Sequence, residues 1–279
     1  MKATLLILSL LLLAGCATPG GERVTSAGTD KRQDQELAIA DCMRQKGFKY
    51  IPYVPPPRVD DMRRRAANGE YTALRRIREK YGFGIFARYV HTTDPSAEGV
   101  ETADSNPNHD LRKALSAAQR RTYDVAAERC FVNAVGQVLG VPARSRADYY
   151  AQVESNRQRK VDEVLDSDPE LIVQASLFAD CLNRIGQPVT ENNPSGLATH
   201  GIRAWTAKLE EVEARYADPA TVGEVPPIPP AVARRYFERE INTAFQDLEC
   251  GKDFYAVFNP KANRLTIQAN AEYGLGAEQ

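Results

Sequence analysis

Apolar residues recur at helical spacing over most of the chain and alternate at strand spacing almost nowhere. Leu37 to Lys46 is a short helical run stopped by Gly47, and Phe48 to Val54 then reads as extended until Pro55-Pro56-Pro57 closes it. Tyr71 to Lys80 is helical and ends in the turn Tyr81-Gly82-Phe83-Gly84. Ser116 and Gln119 form a capping box ahead of Ala117 to Val138, where Ala118, Tyr123, Ala126, Cys130, Ala134 and Val138 fall on one side. Arg146 to Leu165 is the next helix. Asp168 is an N-cap with Pro169 at the first helical position, opening Glu170 to Ile185, which Gly186 and Pro188 stop. Leu197 to Tyr216 follows, then a long run from Ala231 to about Phe258 behind Pro229-Pro230, and Pro260 to Tyr273 adds a last helix. Strand-like alternation is confined to Phe48–Val54 and Phe83–Val90. The fold class these patterns predict is mainly α, a helical domain with little strand.

The pattern repeats. Ala40-Asp41-Cys42-Met43-Arg44-Gln45-Lys46-Gly47 and Ala179-Asp180-Cys181-Leu182-Asn183-Arg184-Ile185-Gly186 share Ala, Asp, Cys and Gly at identical spacing. Later in each half an amphipathic helix carries a second cysteine, Cys130 and Cys250, each with an acidic residue shortly before it. The chain therefore divides into two related helical halves, residues 36–166 and 167–279.

The first residues are of another kind. Met1-Lys2 is a positive start, Leu5 to Leu13 an apolar run, and Ala14-Gly15 precede Cys16. The run falls short of the roughly 20 apolar residues that span a bilayer, so 1–15 reads as a signal peptide. Leu13-Ala14-Gly15-Cys16 resembles a lipobox, which implies cleavage before Cys16 and a diacylglycerol on its thiol. Several acyl chains, at ~0.8 kcal/mol per buried methylene, would hold such a protein to a membrane. Ala17 to Gln35 is rich in Gly, Thr, Ser and charge, so 16–35 reads as a flexible tether, reaching on the order of 25 Å. Ala17, rather than Asp, after the lipid cysteine permits transport to an outer membrane in a host that has two.

Charge narrows the partners little. With 36 Lys and Arg against 37 Asp and Glu in 279 residues, no net charge points to nucleic acid. The arginine clusters, among them Arg63-Arg64-Arg65 and Arg234-Arg235, sit in helical patterns beside acids and read as solvated faces. Of 5 cysteines, Cys16 is spent on lipid, leaving Cys42, Cys130, Cys181 and Cys250 as an even set. In an exported chain these imply two disulfides. Zinc would want closer pairs or nearby histidines, so no metal and no cofactor are expected. True repeats would pair Cys42 with Cys130 and Cys181 with Cys250; the alternative joins Cys42 to Cys181 and Cys130 to Cys250.

Cys42-Met43 followed by Gly47-Phe48, Tyr50 and Pro52; Tyr81-Gly82-Phe83-Gly84-Ile85; Ala114-Leu115-Ser116 with Tyr123; and Glu240-Ile241 with Ala244, Asp247 and Cys250 come in a telling order. Together they resemble a family of bacterial exported lipoproteins, in which Tyr more often stands where Phe83 does here. The resemblance covers most of the chain after the signal and implies export and disulfides. The family carries no assigned activity, so it leaves function open.

Catalytic signatures are few. The chain has no G-x-S-x-G elbow, no S-x-x-K, no phosphate-binding glycine loop and no G-x-G-x-x-G. His91, His109 and His200 read as surface histidines. Glu210, Glu211, Glu213, Glu238 and Glu240 read as exposed helix faces, although a glycosidase needs only two carboxylates. Tyr50, Tyr53, Tyr81, Phe83 and Phe86 concentrate aromatics beside glycine and proline; they are the candidate ligand-binding residues, with core packing as the alternative. The expectation is an envelope protein, anchored through Cys16, that binds or scaffolds envelope proteins or cell-wall polymer rather than catalysing a reaction. An envelope enzyme with paired carboxylates and a solute-binding lipoprotein are the rivals.

Overall fold

The computed structural model describes residues 21–55, 60–94, 97, 106–191, 193–217 and 228–275, with the side chains of 21–30 excepted. The signal-peptide and lipid-anchor expectations, Cys16 included, lie outside the described residues. Among the described residues the chain forms eleven helices and no strand. They are α1 (Gly21–Gln45), α2 (Asp61–Ala67), α3 (Tyr71–Tyr81), α4 (Ala87–Val90), α5 (Pro107–Lys113), α6 (Ala117–Leu139), α7 (Arg146–Asp166), α8 (Pro169–Arg184), α9 (Pro194–Tyr216), α10 (Pro230–Cys250) and α11 (Lys252–Glu272).

The caps act where the residues predict them. Ser116 Oγ accepts from the Gln119 N–H and the Gln119 side chain closes the box on α6. Asp168 accepts from the Glu170 and Leu171 N–H groups at 3.0 and 3.2 Å to start α8. The repeated Cys-x4-Gly segments end α1 and α8 alike: the N–H of Phe48 donates to the Met43 carbonyl at 3.0 Å and that of Gln187 to the Leu182 carbonyl at 2.9 Å. Gly47 and Gly186 take φ of 80° and 78°, the left-handed turn that favours glycine.

Cys42 pairs with Cys130 and Cys181 with Cys250, each at a Cα separation of 5.5 Å and across 88 and 69 residues. The late cysteines are less alike than the early ones: Cys130 lies in mid-α6, whereas Cys250 is the last residue of α10.

Three corrections concern boundaries. The expected tether is helical from Gly21, and Gln35, Ile39 and Met43, four apart, are buried against α6 and α11. Tertiary burial there overrides a composition poor in apolar residues. The break expected near Pro260 falls at Gly251, where a side chain would lie 2.7 Å from the Tyr255 ring and 2.9 Å from that of Phe178. Helix α11 runs through Pro260. The halves are also not separate packing units. The core around the first disulfide (Ile39, Met43, Phe131, Tyr149) takes Tyr273 and Leu275 from the far end of the chain. The core around the second (Leu171, Phe178, Leu182, Phe254) takes Tyr71 and Leu74 from α3.

Neither strand-like stretch pairs with a strand. Residues 48–55 are extended, and the Asn108 side chain stands in for a neighbour: its Nδ2 donates to the Ile51 carbonyl at 2.7 Å and its Oδ1 accepts the Ile51 N–H at 2.8 Å. Residues 82–83 form a turn and 84–86 bends, and α4 follows.

Candidate functional site

Helix α10 presents Ala233, Phe237, Ala244 and Leu248 to the interior, and Glu240 and Asp247 occupy the same buried stripe one heptad apart. Both acids are 0 % exposed, a burial that carboxylates tolerate only when their oxygens find donors. Glu240 finds them on the segment that follows α3, and Asp247 on the helices around it.

Helix α3 ends at Gly82, whose φ of 62° turns the chain and whose N–H bonds the Arg78 carbonyl at 2.9 Å. Two backbone N–H groups of the turn then converge on Glu240: Ile85 donates to Oε1 at 2.9 Å and Phe86 to Oε2 at 2.8 Å, while the Gly84 N–H closes the turn on the Tyr81 carbonyl at 2.8 Å. A side chain at Gly82 would come 2.9 Å from Oε1, so the turn needs glycine there for space as well as for φ. Burial raises the Glu240 pKa, and the backbone N–H groups of the turn, Ile85 first, oppose that rise.

Seven residues on, Asp247 lies among four elements. Its Oδ1 accepts from the Tyr255 hydroxyl on α11 at 2.9 Å and faces the Arg78 guanidinium on α3 at 3.7 Å. Its Oδ2 faces His200 Nε2 on α9 at 3.6 Å, and neither of those two atoms has a hydrogen-bond partner among the described residues. Burial pushes the Asp247 carboxyl up to about 6, against the pull of Arg78 and Tyr255. His200 is shifted down, by burial first and then by Arg203. Arg78 also stacks over the Phe83 ring at 4.5 Å. That ring is seated against Gly201, where an added Cβ would lie 2.3 Å from it. The turn after α3 is thus gripped by α9 on one side and by α10 on the other.

The five candidate aromatics are not brought together. Tyr50 donates its hydroxyl to Glu36 at 3.1 Å, and the Tyr53 N–H donates to the same carboxylate at 3.2 Å, beside the first disulfide core. Tyr81, Phe83 and Phe86, although in the first half of the chain, pack against helices of the second: Tyr81 donates to Asp94 at 2.9 Å beside that core, and Phe86 is buried, stacked on Tyr236 and edge-on to Trp205. A cleft of about 470 Å³ lies between α2 and α3, where Asp61, Met62, Thr72 and Arg76 line it, and none of the five faces it.

Glu240 and His200 correct the sequence reading, because one is fully buried and the other keeps 12 % of its side chain exposed. Asp247 had been noted only as part of a motif. A signal for both acids was present in the spacing 233, 237, 240, 244 and 247, which sets two acids in an apolar helical stripe. Glu211 does lie on an exposed face, and Glu213 pairs with Arg88 at 2.8 Å. Arg63 pairs with Asp60 and Arg64 with Asp61 on the solvent side, as the charge pattern suggests. Among the described residues no three His, Cys, Asp or Glu side chains are grouped to hold a metal, and no helix is long and apolar enough to cross a membrane. No family model, no curated protein and no solved structure matches the chain.

Proposed function

We propose that the protein is a lipid-anchored protein of the bacterial cell envelope, held at a membrane by Cys16, whose helical body binds or scaffolds other envelope components. The observation that carries this reading is the pair of disulfides, one early and one late, since such bridges persist in oxidising compartments outside the cytoplasm. The leader ending in Leu13-Ala14-Gly15-Cys16 agrees with it. The motif likeness to exported lipoproteins belongs to the same proposal.

The helical start of α1 shortens the leash. Only residues 17–20 separate Cys16 from Gly21, about 14 Å when fully extended. Helix α1, with 25 residues, is then a stalk of about 37 Å whose later turns are part of the body.

A binding or scaffolding role is favoured over hydrolysis by paired carboxylates, because Glu240, a buried member of the candidate acids, is engaged at both oxygens by the Ile85 and Phe86 N–H groups. Metabolic labelling with a radioactive fatty acid tests the anchor. The wild-type chain incorporates label and fractionates with membranes, and Cys16→Ser does neither; a labelled Cys16→Ser chain would overturn the proposal. Crosslinking in intact cells, with capture through a C-terminal tag, then identifies the bound component.

A further inference from the structure

Asp247 is faced by a titratable or charged group from every element packed on it: Arg78 from α3, Tyr255 from α11 and His200 from α9. On its own helix the nearest acid of the buried stripe is Glu240, whose oxygens are taken by the turn. Beyond this ring, Arg203 and Glu191 act on His200 from a greater distance. Both groups from α3 and α11 address Oδ1. This leaves Oδ2 and His200 Nε2 facing each other at 3.6 Å, both buried and neither partnered among the described residues. Two buried polar atoms in that relation are satisfied by a proton held between them, on one atom or the other. Without it, two lone pairs confront each other; the imidazole supplies it only in the tautomer that donates.

We propose that Asp247 and His200 form a proton-sharing pair that keeps α9 seated on α10 in mild acid, with the added proton carried by the carboxyl and not by the imidazole. The step is a simple protonation. A proton from solvent bonds to Asp247 Oδ2, the new O–H donates to the Nε2 lone pair of neutral His200, and Arg78 and Tyr255 stay on Oδ1. The cluster gains one positive charge, which rests on Arg78 over the face of Phe83.

Burial favours the neutral form of both groups, raising Asp247 to about 6 and lowering His200. The two shifts oppose in sign. The stability contributed by Asp247 is full below its unfolded value and lost as pH rises through about 6. A depressed His200 loses stability as pH falls below the ordinary histidine range, because the unfolded chain then binds the proton better. The first offsets the second, so the pair makes a buried histidine tolerable at low pH. Under the envelope reading this suits a chain exposed to the pH of the medium, but the inference stands without that reading.

Selective ¹⁵N labelling of histidine in the full chain, kept in detergent micelles, tests it. His200 is assigned by comparison with His200→Gln. Between pH 7.5 and 5 the His200 ring keeps the shifts of a neutral imidazole, and its Nε2 moves in one step towards those of a hydrogen-bond acceptor. An imidazolium at His200 in this range, or an Nε2 that does not move, overturns the proposal. Asp247→Asn, whose amide donates to Nε2 at any pH, abolishes the step. The folding constant of wild type relative to Asp247→Asn rises about tenfold from pH 7 to pH 5, and a ratio that changes less than twofold refutes the assignment. Should Asp247→Asn fail to fold, the wild-type titration alone decides.

Discussion

Replacing Glu240 by alanine removes the acceptor for two successive backbone N–H groups, and the structure sets the size of the loss. The bonds from Ile85 and Phe86, at 2.9 and 2.8 Å, are made to a fully buried carboxylate. A buried N–H left without a partner costs roughly 1–3 kcal/mol. Those two groups alone therefore account for about 2–6 kcal/mol, and the void beside Gly82 adds to it. Relief of the desolvation that raises the Glu240 pKa returns part of this, so we expect a net loss of about 3–5 kcal/mol at pH 7. Urea unfolding with the disulfides intact measures it. Trp205, the one tryptophan in the chain, reports on the turn because its ring meets Phe86 edge-on at 6.0 Å. Acetate, which can re-enter as an acceptor, restores part of the stability of Glu240→Ala and does little for wild type. Because the folded-state pKa of Glu240 is raised, its contribution is full below the unfolded carboxylate value and lost as pH rises through the folded one. The variant lacks that dependence. A loss below about 1 kcal/mol, with unchanged Trp205 emission, would falsify the view that Glu240 holds the turn.

Three further outcomes follow from other contacts. Removing the second bridge in Cys181→Ala/Cys250→Ala opens a 69-residue loop and lowers stability by about 4 kcal/mol by the chain-entropy estimate; an unfolding midpoint equal to that of the bridged protein contradicts the loop argument. Gly201→Ala forces the Phe83 ring away from a Cβ placed 2.3 Å from it, costing about 1–3 kcal/mol of overpacking less ~1 kcal/mol of helix propensity. Phe83→Leu in the same chain relieves that cost, and a double-mutant cycle without coupling speaks against the contact. Asn108→Ala removes both partners of the exposed Ile51 backbone, which water then solvates, and costs about 1–2 kcal/mol. Hydrogen exchange at the Ile51 amide then quickens, and an unchanged rate shows that Asn108 is not its partner.

The helices with strong ends were legible because their signals are local. A capping box reaches three residues, as from Ser116 to Gln119, and the glycine stops after Cys42 and Cys181 act within a single turn. The disulfide pairing was narrowed to two alternatives by the match between two eight-residue segments, and the structure shows the one that true repeats require. The start of α1 was not legible: Gly21 to Gln35 is poor in large apolar residues, and the part of α1 that packs into the core, Ile39 and Met43, lies beyond it. The break at Gly251 escaped notice for a related reason. Pro260 is the stronger local breaker, but only the rings of Phe178 and Tyr255 exclude a side chain at 251.

The same distinction holds for the site. From residue order alone come the mainly α class, the turn at Tyr81-Gly82-Phe83-Gly84, the even set of cysteines and the reading of Cys16 as an anchor. Tertiary structure alone decides that this turn closes on Glu240, 155 residues from Ile85, and that Arg78, His200 and Tyr255 meet at Asp247. Local rules act over a turn of helix, whereas the partner of a buried charge is chosen by which helices pack together. An acid in an apolar stripe announces that a partner must exist. The packing of α3, α9 and α11 around α10 determines which one it is.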